Sequence, residues 1–338
     1  MLETTTVGSL PKPDYLAETE KLWPAWRLEG DELQRAKERS VIEWLKHQEA
    51  AGIDIVTNGE QHRIHFVHGF LEGIAGIDWD RKTPMGIRDN RYTVEVPTVT
   101  GPLARPAPIH IDEVRFTQAQ TSRRLKFTLP GPMTICDTIA NVHYATRAEM
   151  AMAFARILNQ EARQLVEAGV DVIQFDEPAF NVFLDDVREW GIDALHQAIE
   201  GLTCTTAVHI CYGYGIDENL RWKETLGSEW RQYEVIFPAL DASRIDQVSL
   251  ECAGSRVPLS LMGLLKHKSL MVGAVAVTAD KVETPEEVAD TLRTVLNHVD
   301  AERLLPCSNC GMAPIPYAVA LEKIKSLAAG AALVRNSL

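Results

Sequence analysis

His209-Ile210-Cys211 ends an apolar run that begins at Thr205. Residues i and i+2 of a strand point to one face, so the imidazole and the thiol converge. Glu251 closes the next β-rich run and Cys310 the last, so in a closed barrel His209, Cys211, Glu251 and Cys310 project over one mouth. Such borderline-soft N, S and O donors suit zinc in tetrahedral coordination, and thiolates disfavour magnesium or calcium. Each residue also has a blander reading. His209 and Cys211 could be a buried structural pair, Glu251 an acid paired with arginine, and Cys310 a packed small hydrophobe. Cys307-Ser308-Asn309-Cys310 adds a C-x-x-C that could hold metal or cycle between thiol and disulfide. The second C-x-x-C that a closed four-cysteine site needs is absent, and Cys310 ranks above Cys307 as a ligand.

Two further strand ends carry acids, Glu60 and the pair Asp176-Glu177 before Pro178. Only one of two adjacent carboxylates can face a barrel axis. Acids there can bind a substrate ammonium, and the competing reading pairs them with arginines such as Arg63 or Arg91. His62, His65 and His68 look like a second metal cluster, but a spacing of three fits neither a strand face nor the i, i+4 pattern of helical zinc sites. At least one of the three is expected to touch substrate.

These residues need a scaffold that gathers strand ends. Short β-rich runs at Thr4–Ser9, Asp54–Gly59, Lys126–Gly131, Val170–Asp176, Thr205–Tyr212, Gln247–Cys252, Leu270–Val277 and Leu304–Cys310 alternate with amphipathic stretches along the whole chain. The helical stretches are Asp31–Ala51, Arg147–Ala168, Asp186–Gly201, Leu220–Leu240, Pro258–His267, Pro285–His298 and Ile315–Ala329. Thr284 before Pro285-Glu286-Glu287 reads as an N-cap, and Gly52 and Gly169 as helix ends. Eight β/α pairs predict an α/β fold, a single (β/α)8 TIM barrel spanning 1–338, with chemistry at the carboxyl ends of its strands. Neither a G-x-G-x-x-G nor a P-loop pattern is present to favour a doubly wound sheet. Residues 71–107, rich in Gly, Pro and β-branched types, read as an inserted hairpin or lid over one mouth.

Composition narrows the function. The chain has 338 residues, 46% hydrophobic and 24% charged, ample for a large core. Its 34 basic against 47 acidic residues leave a net charge of −13, so no broad positive field exists to attract nucleic acid or an anionic membrane. No stretch approaches a membrane span and the start lacks a secretory pattern, so the expected location is cytoplasmic. Six cysteines are too few for a disulfide scaffold and are expected reduced.

The motifs Thr5-Thr6-Val7-Gly8-Ser9, Asn58-Gly59-Glu60, Pro130-Gly131-Pro132-Met133-Thr134-Ile135, Gln174-Phe175-Asp176-Glu177-Pro178-Ala179, His209-Ile210-Cys211, Glu251 and Asn309-Cys310-Gly311 extend over nearly the full chain. In them the sequence resembles the catalytic C-terminal barrel of the cobalamin-independent methionine synthase family, in its short form without the N-terminal half. The resemblance implies a catalytic Zn2+ on His209, Cys211, Glu251 and Cys310. It implies homocysteine contacts from Val7, Gly8, Ser9, Glu60 and Asp176, the two acids being the catalytic carboxylates. Arg91 matches a pterin-side arginine, and the implied donor is 5-methyltetrahydrofolate or a methylcorrinoid, with a partner protein as one possible carrier.

The departures from that family fall on the donor side. Thr138 stands where it has a tryptophan, Ala276-Val277-Thr278 where it has a proton-donating histidine, and Val182 where it has an acid. The leading expectation is therefore zinc-dependent methylation of homocysteine to methionine. The alternative is zinc-thiolate alkyl transfer or lyase chemistry of the epoxyalkane:coenzyme M transferase type. Coenzyme M carries a sulfonate and no ammonium, so retention of both Glu60 and Asp176 favours an amino-acid thiol.

Overall fold

The computed structural model describes residues 1–21, 24–214 and 216–338. Its strands are β1 (Ile55–Val56), β2 (Ala75–Ile87), β3 (Tyr92–Ala104), β4 (Arg124–Pro130), β5 (Ala140–Asn141), β6 (Val172–Asp176), β7 (Thr205–Ile210), β8 (Gln247–Glu251), β9 (Ser269–Val275) and β10 (Leu304–Ser308). Seven form one sheet in the order β1-β4-β6-β7-β8-β9-β10, and each neighbouring pair is parallel. The Thr4–Ser9 run, expected as a strand, appears as a single parallel bridge from Thr5 to Ile55. Thr5 N also donates to Pro306 O at 3.0 Å, and Val7 N to Ser308 Oγ at 3.0 Å, so this segment joins β1 to β10 and closes the curled sheet.

Burial follows a barrel's two layers. Inside the ring, Val7, Ile55, Val172, Ala207, Met271, Leu305 and Cys307 pack as one small apolar cluster contributed by different strands. The larger core lies between the sheet and the helices, which include Gly30–Ala51, Arg147–Glu167, Pro285–Leu296 and Tyr317–Arg335. The expected helix signals operate. Thr284 and Glu287 form a reciprocal capping box, and Gly52 ends its helix at φ +90°.

Three readings need correcting. The stretch Leu220–Leu240 is two helices, Asp217–Thr225 and Gln232–Ala242, and Pro258–His267 contains only a tight 3-10 helix, Leu259–Leu264. A helix at Ile111–Gln118 was missed. It is short, and Val114 with the aliphatic parts of Glu113 and Thr117 gives it too little apolar period to read. The 71–107 insertion is the antiparallel hairpin β2–β3, joined by β5 in a separate three-stranded sheet. At its tip Arg88, Asp89 and Asn90 are all left-handed, with φ of 52°, 56° and 61°. Among the described residues no helix is long and apolar enough to cross a membrane.

Candidate active site

The carboxyl ends of the strands surround a cavity of about 150 Å3. Val7, Ser9, Glu60, Arg91, Asp176, His209, Cys211 and Cys310 all line it, and Gly8 supports its wall. A Cβ on Gly8 would sit 2.5 Å from Thr128 Cγ2 and 3.3 Å from Glu60 Oε1, so only glycine lets the first segment approach Glu60 so closely.

His209, Cys211 and Cys310 present their donor atoms within 4.8 Å of one another, the one such group of three among the described residues. His209 Nδ1 pairs with Ser249 Oγ at 2.9 Å, while its Nε2 is buried without a hydrogen-bond partner. The Ser249 hydroxyl thus orients the ring and leaves the other nitrogen free for a ligand. The Cys211 and Cys310 sulfurs are 3.4 Å apart. The thiol hydrogen bond from Cys310 holds Cys211 well below the usual thiol range, with burial opposing and His209 assisting; Cys310 is raised in turn. The donor set and the orphaned imidazole nitrogen fit a thiophilic metal such as zinc.

Glu251 ends the neighbouring strand but is held by protein donors. Tyr214 Oη donates to its Oε1 at 2.5 Å, Lys223 Nζ to the same oxygen at 3.1 Å, and Tyr212 N to Oε2 at 3.2 Å. Its carboxyl pKa is raised by burial, against the pull of Lys223. Cys307 packs inside the ring, fully buried. A register shift between Cys307 and Ser308 breaks the strand's alternation, and it is Cys310 whose sulfur reaches Cys211.

Of the adjacent acids, Asp176 faces the cavity and Glu177 turns away. Glu177 is fully buried and accepts from Met133 N at 2.9 Å, Thr134 N at 2.8 Å and Thr134 Oγ1 at 2.7 Å, at the start of the helix Pro132–Cys136. Gln174 Nε2 bridges Val7 O at 2.9 Å and Asp176 Oδ1 at 2.7 Å. Burial raises the Asp176 carboxyl to about 7; His209 opposes this and Glu60 adds to it. Glu60 has a left-handed backbone, φ +58°, locked by its N–H to Asn58 Oδ1 at 3.0 Å. Its Oε1 accepts from Thr128 Oγ1 at 2.6 Å, and Arg63 stands 3.9 Å away.

The hairpin tip supplies Arg88, Arg91 and Tyr92 to the lining, and Arg91 Nη1 lies 3.5 Å from Tyr212 O, next to Cys211. Arg88 is paired with Asp137. Arg91 lies 3.2 Å over the Trp222 ring, and its Nε and Nη2 are buried without partners. Burial, with Arg88 nearby, lowers its pKa to about 9. Thr138 lines this edge, its hydroxyl turned back to Ile135 O at 3.0 Å. Neither Thr278 nor Val182 is among the lining residues.

Of the three histidines, His65 lines the cavity. His62 sits instead by Glu113, 3.4 Å away, and His68 packs on Trp79. Sequence reasoning missed Lys12, Arg88, Tyr92, Tyr212, Tyr214 and Asn219. Lys12, between two prolines just past Ser9, carried a readable signal. The others sit at the hairpin tip or in the loop and helix after β7, whose approach to the mouth depends on the closed fold.

A parallel barrel whose strand ends set a thiol pair and an imidazole beside two cavity-facing carboxylates defines an enzyme that works on a small polar ligand. Residues 2–332 match the family model described as cobalamin-independent synthase, catalytic domain, and the chain belongs to that methionine synthase family of methyltransferases. It is 32% identical to the methionine synthase of Sulfolobus acidocaldarius, over all of this chain and 94% of that protein. The methionine synthase of Sulfurisphaera tokodaii is 30% identical, with the same coverage of both chains. Among solved structures, the B12-independent methionine synthase of Shewanella sp. W3-18-1, in complex with selenomethionine, superposes with a TM-score of 0.97. That enzyme is 53% identical and the match covers 100% of this chain and 98% of that one.

Proposed function

We propose that the whole chain, residues 1–338, is one catalytic unit that methylates the thiol of homocysteine, giving methionine. His209, Cys211 and Cys310 would hold a zinc ion, and Glu251, whose carboxylate accepts from Tyr214, Lys223 and Tyr212 N in this structure, would turn from one of these donors to become the fourth ligand. When bound, zinc lowers the pKa of a coordinated thiol so that the thiolate is available near neutral pH. The observation that carries this reading is the convergence of the three donor atoms, with His209 Nε2 otherwise orphaned in the interior.

The protein's own groups handle the rest of the substrate. Glu60 and Asp176 receive the α-ammonium, Asp176 being held in place by Gln174. Val7, Gly8 and Ser9 form the wall on which the amino-acid end rests. In the reaction the sulfur–carbon bond forms as the methyl leaves its donor, and the thiol proton departs to solvent or to the released donor atom. The tip of the β2–β3 hairpin lines the cavity beside the Cys211–Tyr212 segment, and there Arg91 meets the donor, either 5-methyltetrahydrofolate or a methylcorrinoid. Two cavity-facing acids disfavour the coenzyme M type of reaction, whose sulfonate they would repel. Methionine formation from homocysteine by the zinc-loaded protein with each donor tests the proposal; alkylation of coenzyme M in preference to homocysteine would refute it.

A further inference from the structure

Lys12 has no part in the roles above. It follows the first strand segment, is 8% exposed, and lines the cavity. Its Nζ reaches one acceptor, the main-chain oxygen of Glu60, at a long 3.4 Å, and lies 5.6 Å from the Trp26 ring. Among the described residues it forms no ion pair with a carboxylate. Two other buried lysines do have a carboxylate: Lys323 meets Glu283 at 2.8 Å and Lys223 meets Glu251 at 3.1 Å. An ammonium withdrawn from water without a contacting counter-charge is unfavourable, and burial lowers its pKa to about 8, with Glu60 and Glu113 opposing the shift from beyond ion-pair distance.

Position decides which ligand answers it. Lys12 shares its edge of the cavity with Ser9, Glu60, Gly311 and Ala313, whereas Arg88, Arg91, Tyr92 and Thr138 come from the hairpin and the segment after β4. Gly311 packs directly on Ser9, and Met312 N donates to Ser9 O at 2.8 Å, so this edge is one continuous wall. An α-amino acid presents an ammonium and a carboxylate on one carbon. Glu60 and Asp176 match the first; for the second, the cations that lie beside Glu60 among the described residues are Lys12 and Arg63, whose Nη1 is committed to Thr128 O at 2.9 Å.

We propose that Lys12 is the counter-charge for the acceptor's α-carboxylate, which makes this wall selective for zwitterionic amino-acid thiols over simple amino-thiols. The proposal rests on the homocysteine reading of the cavity. The competing role is structural, with Lys12 bracing the left-handed turn at Glu60.

Calorimetric binding of homocysteine, 3-aminopropane-1-thiol (no carboxylate) and 4-mercaptobutyrate (no ammonium) separates the two. Lys12→Met should weaken homocysteine and 4-mercaptobutyrate by about tenfold or more, as expected for a lost charge-assisted contact. It should leave 3-aminopropane-1-thiol unchanged, and Lys12→Arg should recover most of the loss. Equal weakening of all three thiols would assign Lys12 the structural role, and no weakening would remove it from the site; either overturns the proposal. Wild-type protein that binds no homocysteine would overturn the acceptor reading and this inference together, whereas intact homocysteine binding with an unchanged Lys12→Met variant overturns this inference alone.

Discussion

The sulfurs of Cys211 and Cys310 lie 3.4 Å apart although 99 positions separate them in the chain. One ends the β7 segment and the other follows β10, and only closure of the sheet brings them together. At that distance the two thiols share hydrogen-bonded character, which favours one thiolate at Cys211. Loss of the metal ligands should therefore be local. His209→Ala and Cys211→Ser should each reduce zinc to well below one ion per chain while circular dichroism stays near wild type. Stoichiometric zinc in the double variant would exclude this site.

The two cysteines of the C-x-x-C should behave differently. Cys310→Ser should abolish methionine formation and metal retention, because its sulfur belongs to the donor cluster. Cys307→Ser should keep its zinc, but it places a hydroxyl in the apolar interior of the ring, where it should lower stability by roughly 1–3 kcal/mol unless it finds a partner. Zinc analysis and thermal melts of both variants check the contrast.

Lys12 predicts a trade between binding and stability. Its folded pKa, about 8, lies below the value of an exposed lysine, so the buried charge opposes folding fully below pH 8. That penalty fades as pH rises from 8 towards 10.5. Ligand-free Lys12→Met should thus be more stable than wild type at pH 7 by up to about 3 kcal/mol, less whatever strain it introduces, and the gain should shrink above pH 8. Chemical denaturation across that range reads the sign; a destabilised variant at pH 7 would show that the ammonium is satisfied by the protein itself.

The donor edge should be a poor folate site. Thr138 offers no aromatic face and its hydroxyl is spent on its own turn, while Thr278 does not reach the cavity. Absent stacking forfeits about 1 kcal/mol, and absent acid catalysis at the departing nitrogen about 10²–10⁴-fold in rate. Methylcobalamin or a methylated corrinoid protein should outperform free 5-methyltetrahydrofolate in steady-state assays, since a departing cobalt needs no proton. Efficient turnover with the monoglutamyl folate alone would contradict this and would point to a proton donor on the hairpin.

Much of the site was legible because strand alternation and strand ends are local properties. His209 and Cys211 share a face by their spacing alone, and the prediction that only one of Asp176 and Glu177 could face the axis follows from the same rule. What was hidden depends on long-range geometry. The engagement of Glu251 by Lys223 and Tyr214 requires the loop and helix after β7 to fold back on β8, which no periodicity announces. The hairpin at 71–107 was visible in composition, but the left-handed turn that sends Arg88 and Arg91 into the cavity falls on Arg88-Asp89-Asn90, without the glycine that signals such turns. Thr4–Ser9 read as a strand because of its β-branched residues, yet its regular pairing is limited to Thr5.

X-ray absorption at the zinc edge tests the central claim most directly, because it needs no knowledge of the methyl donor. In the resting protein two sulfurs, from Cys211 and Cys310, should scatter at zinc, and saturating homocysteine should raise the count to three. A count that stays at two with homocysteine bound would contradict the proposal that this enzyme activates the acceptor thiol on the metal.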